Sequence, residues 1–171
     1  MVRAHHDSLL VRDPQTGEAV VWSLCYHYRY LLTRHLSDRG QLALWILLNP
    51  SIARLYDSDP TITRVMRRSK ILGFRTILVA NAFALRSTFP NVLYEADDPI
   101  GPDTNNWLVA AANQADVVIA GWGTHATYRD REQQIAKLLD GIPIWCLAKT
   151  KQGHPKHPLY LPYDAQLQRW N

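Results

Sequence analysis

From residue 42 onward the chain repeats one pattern: a short continuous apolar run, a loop, then a helical segment. The runs are Leu42–Leu48, Thr76–Ala80, Val117–Ala120 and Ile142–Leu147. Because they are apolar at successive positions rather than alternate ones, they predict strands buried on both faces. Asp59-Pro60-Thr61 predicts a helix start, since aspartate accepts from free first-turn N–H groups and proline at the first helical position sacrifices no hydrogen bond. That helix runs to about Lys70, and Gly73 ends it. Further helices are expected over Thr104–Gln114 and Tyr128–Leu139, with Asp164–Trp170 as a short closing helix. Upstream, the β-branched and aromatic runs Ala19–Leu24 and Tyr28–Thr33, set off by polar breaks such as Pro14–Gly17, predict a β-hairpin or meander. Thr88–Asp103, rich in proline and aspartate, is the one long irregular stretch.

Apolar strands alternating with helices predict an α/β fold with a central, mostly parallel sheet covered on both faces. The expectation is one domain over residues 1–171, with N-terminal strands in 1–40 and an α/β core in 41–171. In open sheets of this kind ligands bind beyond the carboxyl ends of the strands. That directs attention to Asn49-Pro50-Ser51, Asn81-Ala82-Phe83, Gly121-Trp122-Gly123 and the Lys149–Leu161 segment.

Composition changes this picture little. With 47% hydrophobic and 20% charged residues, a chain of this size buries roughly 70% of its unfolded surface and needs neither disulfides nor a structural metal. Cys25 and Cys146 lie in no paired-cysteine motif, so both are expected to be reduced, core-filling thiols in a cytoplasmic setting. The opening MVRAHHDSLLVRD lacks the apolar stretch of a signal sequence, and no apolar run approaches a membrane span, so no membrane association is expected. The formal charge of +4, with Arg64, Arg67, Arg68 and Lys70 clustered, favours a polyanionic partner; a solvated basic helix face is the alternative.

The strand ends carry the candidate chemistry. Asn49 precedes a proline, so its amide projects from a fixed backbone, although Asn-Pro is also ordinary turn chemistry. Asn81 offers a donor and an acceptor, as reading the edge of a nucleobase requires. Phe83 is either a ring to stack on a planar ligand or a core residue. Arg86 suits phosphate or carboxylate. His154 and His157 lie in a loop stiffened by Pro155 and Pro158, beside Lys149, Lys151 and Lys156, and either imidazole could meet developing negative charge or exchange a proton. Asp59 is accounted for as a helix cap, while Asp57 stays open. No zinc-binding spacing, Walker loop or dinucleotide fingerprint is present, so no metal or cofactor is expected.

Taken in order, Arg29-Tyr30, Leu47-Leu48-Asn49-Pro50-Ser51, Asp59-Pro60-Thr61, Asn81 to Arg86, Gly101-Pro102, Trp122-Gly123 and His154-Pro155-Lys156-His157-Pro158-Leu159 resemble the domain-of-unknown-function family 1643, over about residues 28–170. That likeness brings no assigned activity. A weaker resemblance, to the mismatch-specific branch of the uracil-DNA glycosylase superfamily, implies a three-layer α/β/α sandwich. Leu48-Asn49-Pro50-Ser51 is similar to that branch's Asn-Pro-Gly motif, whose Asn positions the attacking water. Val79–Thr88 resembles the segment after its next strand, Ala120–Gly123 its glycine-containing strand end, and His154-Pro155 its His-Pro-Ser-Pro loop. Ser51 stands where that motif has glycine, and the histidine loop is one residue longer between its prolines.

The functional expectation is a protein that binds a nucleobase or nucleic acid, DNA being favoured, with DNA glycosylase-like hydrolysis of an N-glycosidic bond as its catalytic form. Asn49 would hold the water and His154 or His157 would donate to the departing base. Pro50, Ser51, Asn81, Phe83, Arg86, Trp122, Gly123 and Lys156 would contact the ligand. The alternatives are a non-catalytic nucleotide- or nucleic-acid-binding module, and a hydrolase of a small phosphorylated or nucleoside substrate that recruits Asp57.

Overall fold

A computed structural model describes residues 8–89 and 91–171. Residues 1–7, over which part of the no-leader expectation was made, and Pro90, in the irregular stretch, lie outside the described residues. The strands are β1 (Ser8–Arg12), β2 (Ala19–Ser23), β3 (Arg29–His35), β4 (Gln41–Leu47), β5 (Phe74–Asn81), β6 (Val117–Ala120), β7 (Ile144–Cys146) and β8 (Gln168–Arg169). The helices are α1 (Pro60–Ile71), α2 (Val92–Glu95), α3 (Thr104–Gln114) and α4 (Arg131–Leu138), with 3-10 turns within Thr124–Asp130, kinked at Tyr128 and Arg129, and at Pro158–Tyr160.

All eight strands form one sheet in the order β1-β2-β3-β5-β4-β6-β7-β8. β5, β4, β6 and β7 are mutually parallel, and the remaining pairings are antiparallel. The sheet is therefore mixed rather than mostly parallel. The N-terminal strands do not precede it as a separate hairpin; β3 pairs with β5 through Leu32 and Val79 and extends the same surface.

β4 illustrates why a continuous apolar run becomes a central strand. Leu44 and Ile46 point into one apolar cluster with Trp107, Leu108 and Ile135, whereas Ala43, Trp45 and Leu47 point into another with Ile62 and Val65. Successive side chains alternate between faces, so α1 covers one face while α3 and α4 cover the other. The Trp45 indole also donates to Ser69 Oγ at 2.9 Å, fastening α1 to the strand beneath it.

α1 begins and ends as its sequence predicts. Asp59 Oδ1 accepts from the Ile62 N–H at 2.8 Å, Pro60 opens the helix, and Gly73 follows its end at a φ of +78°. Thr104–Gln114 is helical as expected. The helix expected over Tyr128–Leu139 starts later, because Arg129 and Asp130 both take positive φ and break the turn.

Asp164–Trp170 is not a helix; it ends in β8, antiparallel to β7. Part of the reason lies just upstream, where Arg64 donates to the carbonyls of Pro158 and Leu161, and Arg68 to those of Leu161, Pro162 and Tyr163. Arg64, Arg67 and Arg68 also lie over the Tyr163 ring. Arg64 and Arg68 thus dock the C-terminal segment, while Arg67 and Lys70 of the same cluster stay exposed. Cys146 is buried as expected, but Cys25 is exposed in the β2–β3 turn. Among the described residues no helix is long and apolar enough to cross a membrane.

Candidate functional site

From β4 the chain passes through α1 to β5 on one side, then returns through α3 to β6 on the other. Such a reversal leaves a gap between outgoing loops at the carboxyl ends of the strands. A crevice of about 600 Å³ lies there, lined among others by Arg29, Asn49, Asp59, Asn81, Trp122, Lys156 and His157. That volume is in the range of small-molecule sites.

The loop after β4 is held from both sides. Its carbonyls at Leu47, Leu48 and Pro50 accept from Ala82, Phe83 and Ser87 N–H. From β3, buried Arg29 donates to Ala53 O at 2.9 Å, and buried Arg34 donates to Arg54 O and Asp57 O. Within this frame the Asn49 amide nitrogen donates to Ser87 O at 2.8 Å. Its Oδ1 is left as the group available to a ligand or a water.

Asn81, the last residue of β5, is 2% exposed and lines the crevice. Neither its Oδ1 nor its Nδ2 has a hydrogen-bond partner among the described residues. Buried side-chain amides are ordinarily satisfied, and leaving one unpaired costs about 1–3 kcal/mol.

Gly121 explains how the histidine loop comes so close. A Cβ there would stand 3.0 Å from Pro158 Cδ and 3.2 Å from a Leu47 methyl. With no side chain in the way, Pro158 packs over the end of β6 and delivers its neighbour His157 to the crevice. His157 Nδ1 accepts from the Leu159 N–H, which leaves the ring proton on Nε2. Burial pushes this imidazole down to about 4, only partly offset by the charge of Asp59. It is therefore a neutral N–H donor at pH 7.

This depression has a pH signature. Above pH 6.5 the ring is neutral in both folded and unfolded chains; as pH falls toward 4 only the unfolded ring takes up a proton, so stability is lost through that window. Urea denaturation at pH 7 and pH 4.5 should show wild type losing on the order of 2–3 kcal/mol more than His157→Gln. Equal losses would mean that the folded imidazole titrates freely.

His154 is placed elsewhere. Its Nδ1 pairs with Glu132 Oε1 at 2.9 Å, and Glu132 Oε2 accepts from the Trp122 indole at 2.7 Å. It ties the loop to α4 and does not line the crevice. Among the other expected ligand contacts, Ser51, Asn81, Trp122, Gly123 and Lys156 line it, whereas Pro50, Phe83 and Arg86 do not. Phe83 cannot stack on a ligand, because it is fully buried against Tyr128 in the α3/α4 cluster. Arg86 turns away over the Trp22 ring and donates to Tyr26 O.

Among the lining residues that the sequence did not mark as site groups, two are charged, Arg29 and Asp59. Arg29 is fully enclosed, its Nε has no partner among the described residues, and desolvation pushes its guanidinium down to about 10 despite the neighbouring Asp59 charge. A lone cation within an otherwise apolar and aromatic run was the available signal. Asp59 spends only Oδ1 on its cap; Oδ2 has no partner among the described residues. Its capping role had explained the residue completely at the level of sequence.

Residues 29–159 match the family described as protein of unknown function DUF1643. The chain belongs to that family. No curated protein and no solved structure matches it. The DUF1643 match begins at Arg29 and ends at Leu159, so it takes in the crevice residues from buried Arg29 through His157. Among the described residues no three His, Cys, Asp or Glu side chains gather as metal ligands.

Proposed function

We propose that this DUF1643 protein binds a nucleobase in the strand-end crevice and hydrolyses the N-glycosidic bond that holds it. The observation carrying the reading is Asn81, a buried amide with both polar atoms unpartnered. A nucleobase edge supplies the adjacent donor and acceptor that such an amide lacks. The resemblance to the uracil-DNA glycosylase superfamily points the same way, and helices on both faces of a parallel core support its three-layer fold.

Asp59, Asn49 and His157 line the crevice with complementary capacities. In the proposed reaction Asn49 Oδ1 accepts one hydrogen bond from a water, and Asp59 Oδ2 takes that water's proton as its oxygen bonds to the sugar C1′. The C1′–N bond breaks and its electron pair passes to the base, where His157 Nε2–H donates to the oxygen that gains negative charge. A neutral donor suits this step, because it stabilises the developing oxyanion without protonating the base in the ground state. The Asp59 charge also favours the cationic sugar. Supplying Asp59 as proton acceptor removes the difficulty that Asn49 alone, an amide, cannot act as a base.

Oligonucleotides bearing uracil, mismatched thymine or modified bases, incubated with the protein and probed for abasic sites, test the reading. Free nucleobases are expected to raise Tm, and at least one oligonucleotide is expected to yield abasic product. Tm shifts without product would leave a non-catalytic binding module, and neither effect would sink the proposal.

A further inference from the structure

A second hollow of about 250 Å³, lined by Tyr26, His27, Ile52 and Arg86, adjoins the crevice and shares Ser51, Ser87 and Thr88 with it. That hollow shares Tyr26 and Arg86 with a third, of about 470 Å³, which reaches Trp22, Arg54 and Tyr56. Resting on the nucleobase reading, we infer that this row of adjoining hollows forms a groove that binds a single-stranded polynucleotide, carrying the strand that flanks the nucleotide held in the crevice.

Large side chains are left open to solvent along the groove: Tyr26 is 51% exposed, Ile52 63% and Tyr56 77%. Tyr26 holds a φ of +59°, a backbone region that residues with a side chain seldom occupy. Such outliers concentrate at functional surfaces. Its ring stands 6.3 Å from that of Trp22, over which the Arg86 guanidinium lies at 4.7 Å. Arg86 Nε is buried without a partner among the described residues.

The charges favour an anionic occupant. Arg54 and Arg86 line the third hollow with Asp57 as its one acidic side chain. Arg54 lowers the proton affinity of Arg86, after the larger effect of burial, so the two cations repel each other. Exposed rings offering faces to successive bases, beside cations for the backbone, are the recurring means of holding single strands.

The test compares a fluorescein-labelled thymidine octanucleotide with the dinucleotide by anisotropy, using wild type, Tyr56→Ala, Arg54→Ala and Asn81→Leu, each checked for an intact thermal transition. The octanucleotide is expected to bind at least tenfold more tightly than the dinucleotide. Tyr56→Ala should cost it roughly 5- to 100-fold, and Arg54→Ala should reduce the dependence of log affinity on log salt by about one. Neither change should alter dinucleotide affinity. An octanucleotide no tighter than the dinucleotide, insensitivity to both groove variants, or equal binding of a polyglutamate peptide would overturn the inference. Asn81→Leu separates the two readings: octanucleotide binding that resists Asn81→Leu but yields to Tyr56→Ala upholds the groove while the crevice reading fails. Dinucleotide binding without octanucleotide gain does the reverse.

Discussion

Asn81→Leu should make the free protein more stable while abolishing nucleobase binding. Leucine nearly matches asparagine in size and leaves no polar atom in a position that is 2% exposed and without partners. Removing a buried unsatisfied donor and acceptor is expected to raise unfolding free energy by on the order of 1–3 kcal/mol. For a domain of this length that is a Tm increase of roughly 2–10 °C. The same change removes both atoms proposed to pair with the base, so affinity should fall at least about 100-fold, as when a site built for polar recognition loses its complement. Thermal denaturation and titration calorimetry with free nucleobases read the two effects separately. A variant destabilised by more than about 1 kcal/mol would mean that the native amide is already satisfied, and the reading would lose its main support. Gain of stability with loss of function is the usual pattern where a site keeps unpaired groups for a ligand.

The second large effect is expected from Asp59→Asn. Asparagine caps a helix about as well as aspartate, so the Oδ1 acceptor of the Ile62 N–H is retained. The lost charge also leaves Arg29 without the neighbour that partly offsets its burial, so a stability loss of up to about 1–2 kcal/mol is expected. Catalysis should suffer far more. With no acceptor for the water's proton, the rate of base release should fall by about 10²–10⁴, while nucleobase affinity changes little. Asp59→Ala serves as the contrast, because it removes cap and charge together and should cost more stability for a similar loss of rate. Wild-type rates of abasic-site formation in Asp59→Asn would exclude Asp59 as the base and leave the base-binding role of Asn81 untouched.

The expected site was legible where one residue's chemistry and its place at a strand end were enough. Asn49 and Asn81 each follow an apolar run directly, and both line the crevice. Asp59 was legible only in part, because one oxygen satisfies the capping pattern and nothing in the local sequence reports where the other lies. His157 and His154 could not be told apart, since the distinction depends on Glu132 from α4, which claims His154, and on Gly121, which lets Pro158 approach β6. Phe83 fell on the wrong side of the prediction for a similar reason: its burial against Tyr128 depends on a segment far along the chain.

What the sequence determined by itself is local. Apolar runs this short, bounded by turn residues, read as strands buried on both faces, and Asp59-Pro60 with Gly73 bounds a helix through hydrogen bonds and backbone preferences within a few residues. The tertiary structure alone decided that β3 joins β5, that Arg29 reaches beneath the crevice, that Arg64 and Arg68 hold the C-terminal segment by its carbonyls, and that His157 rather than His154 faces the crevice. Each of these outcomes rests on contacts between residues distant in the chain, whose free energies depend on which groups the packed sheet desolvates together, and that is not a property of any short segment.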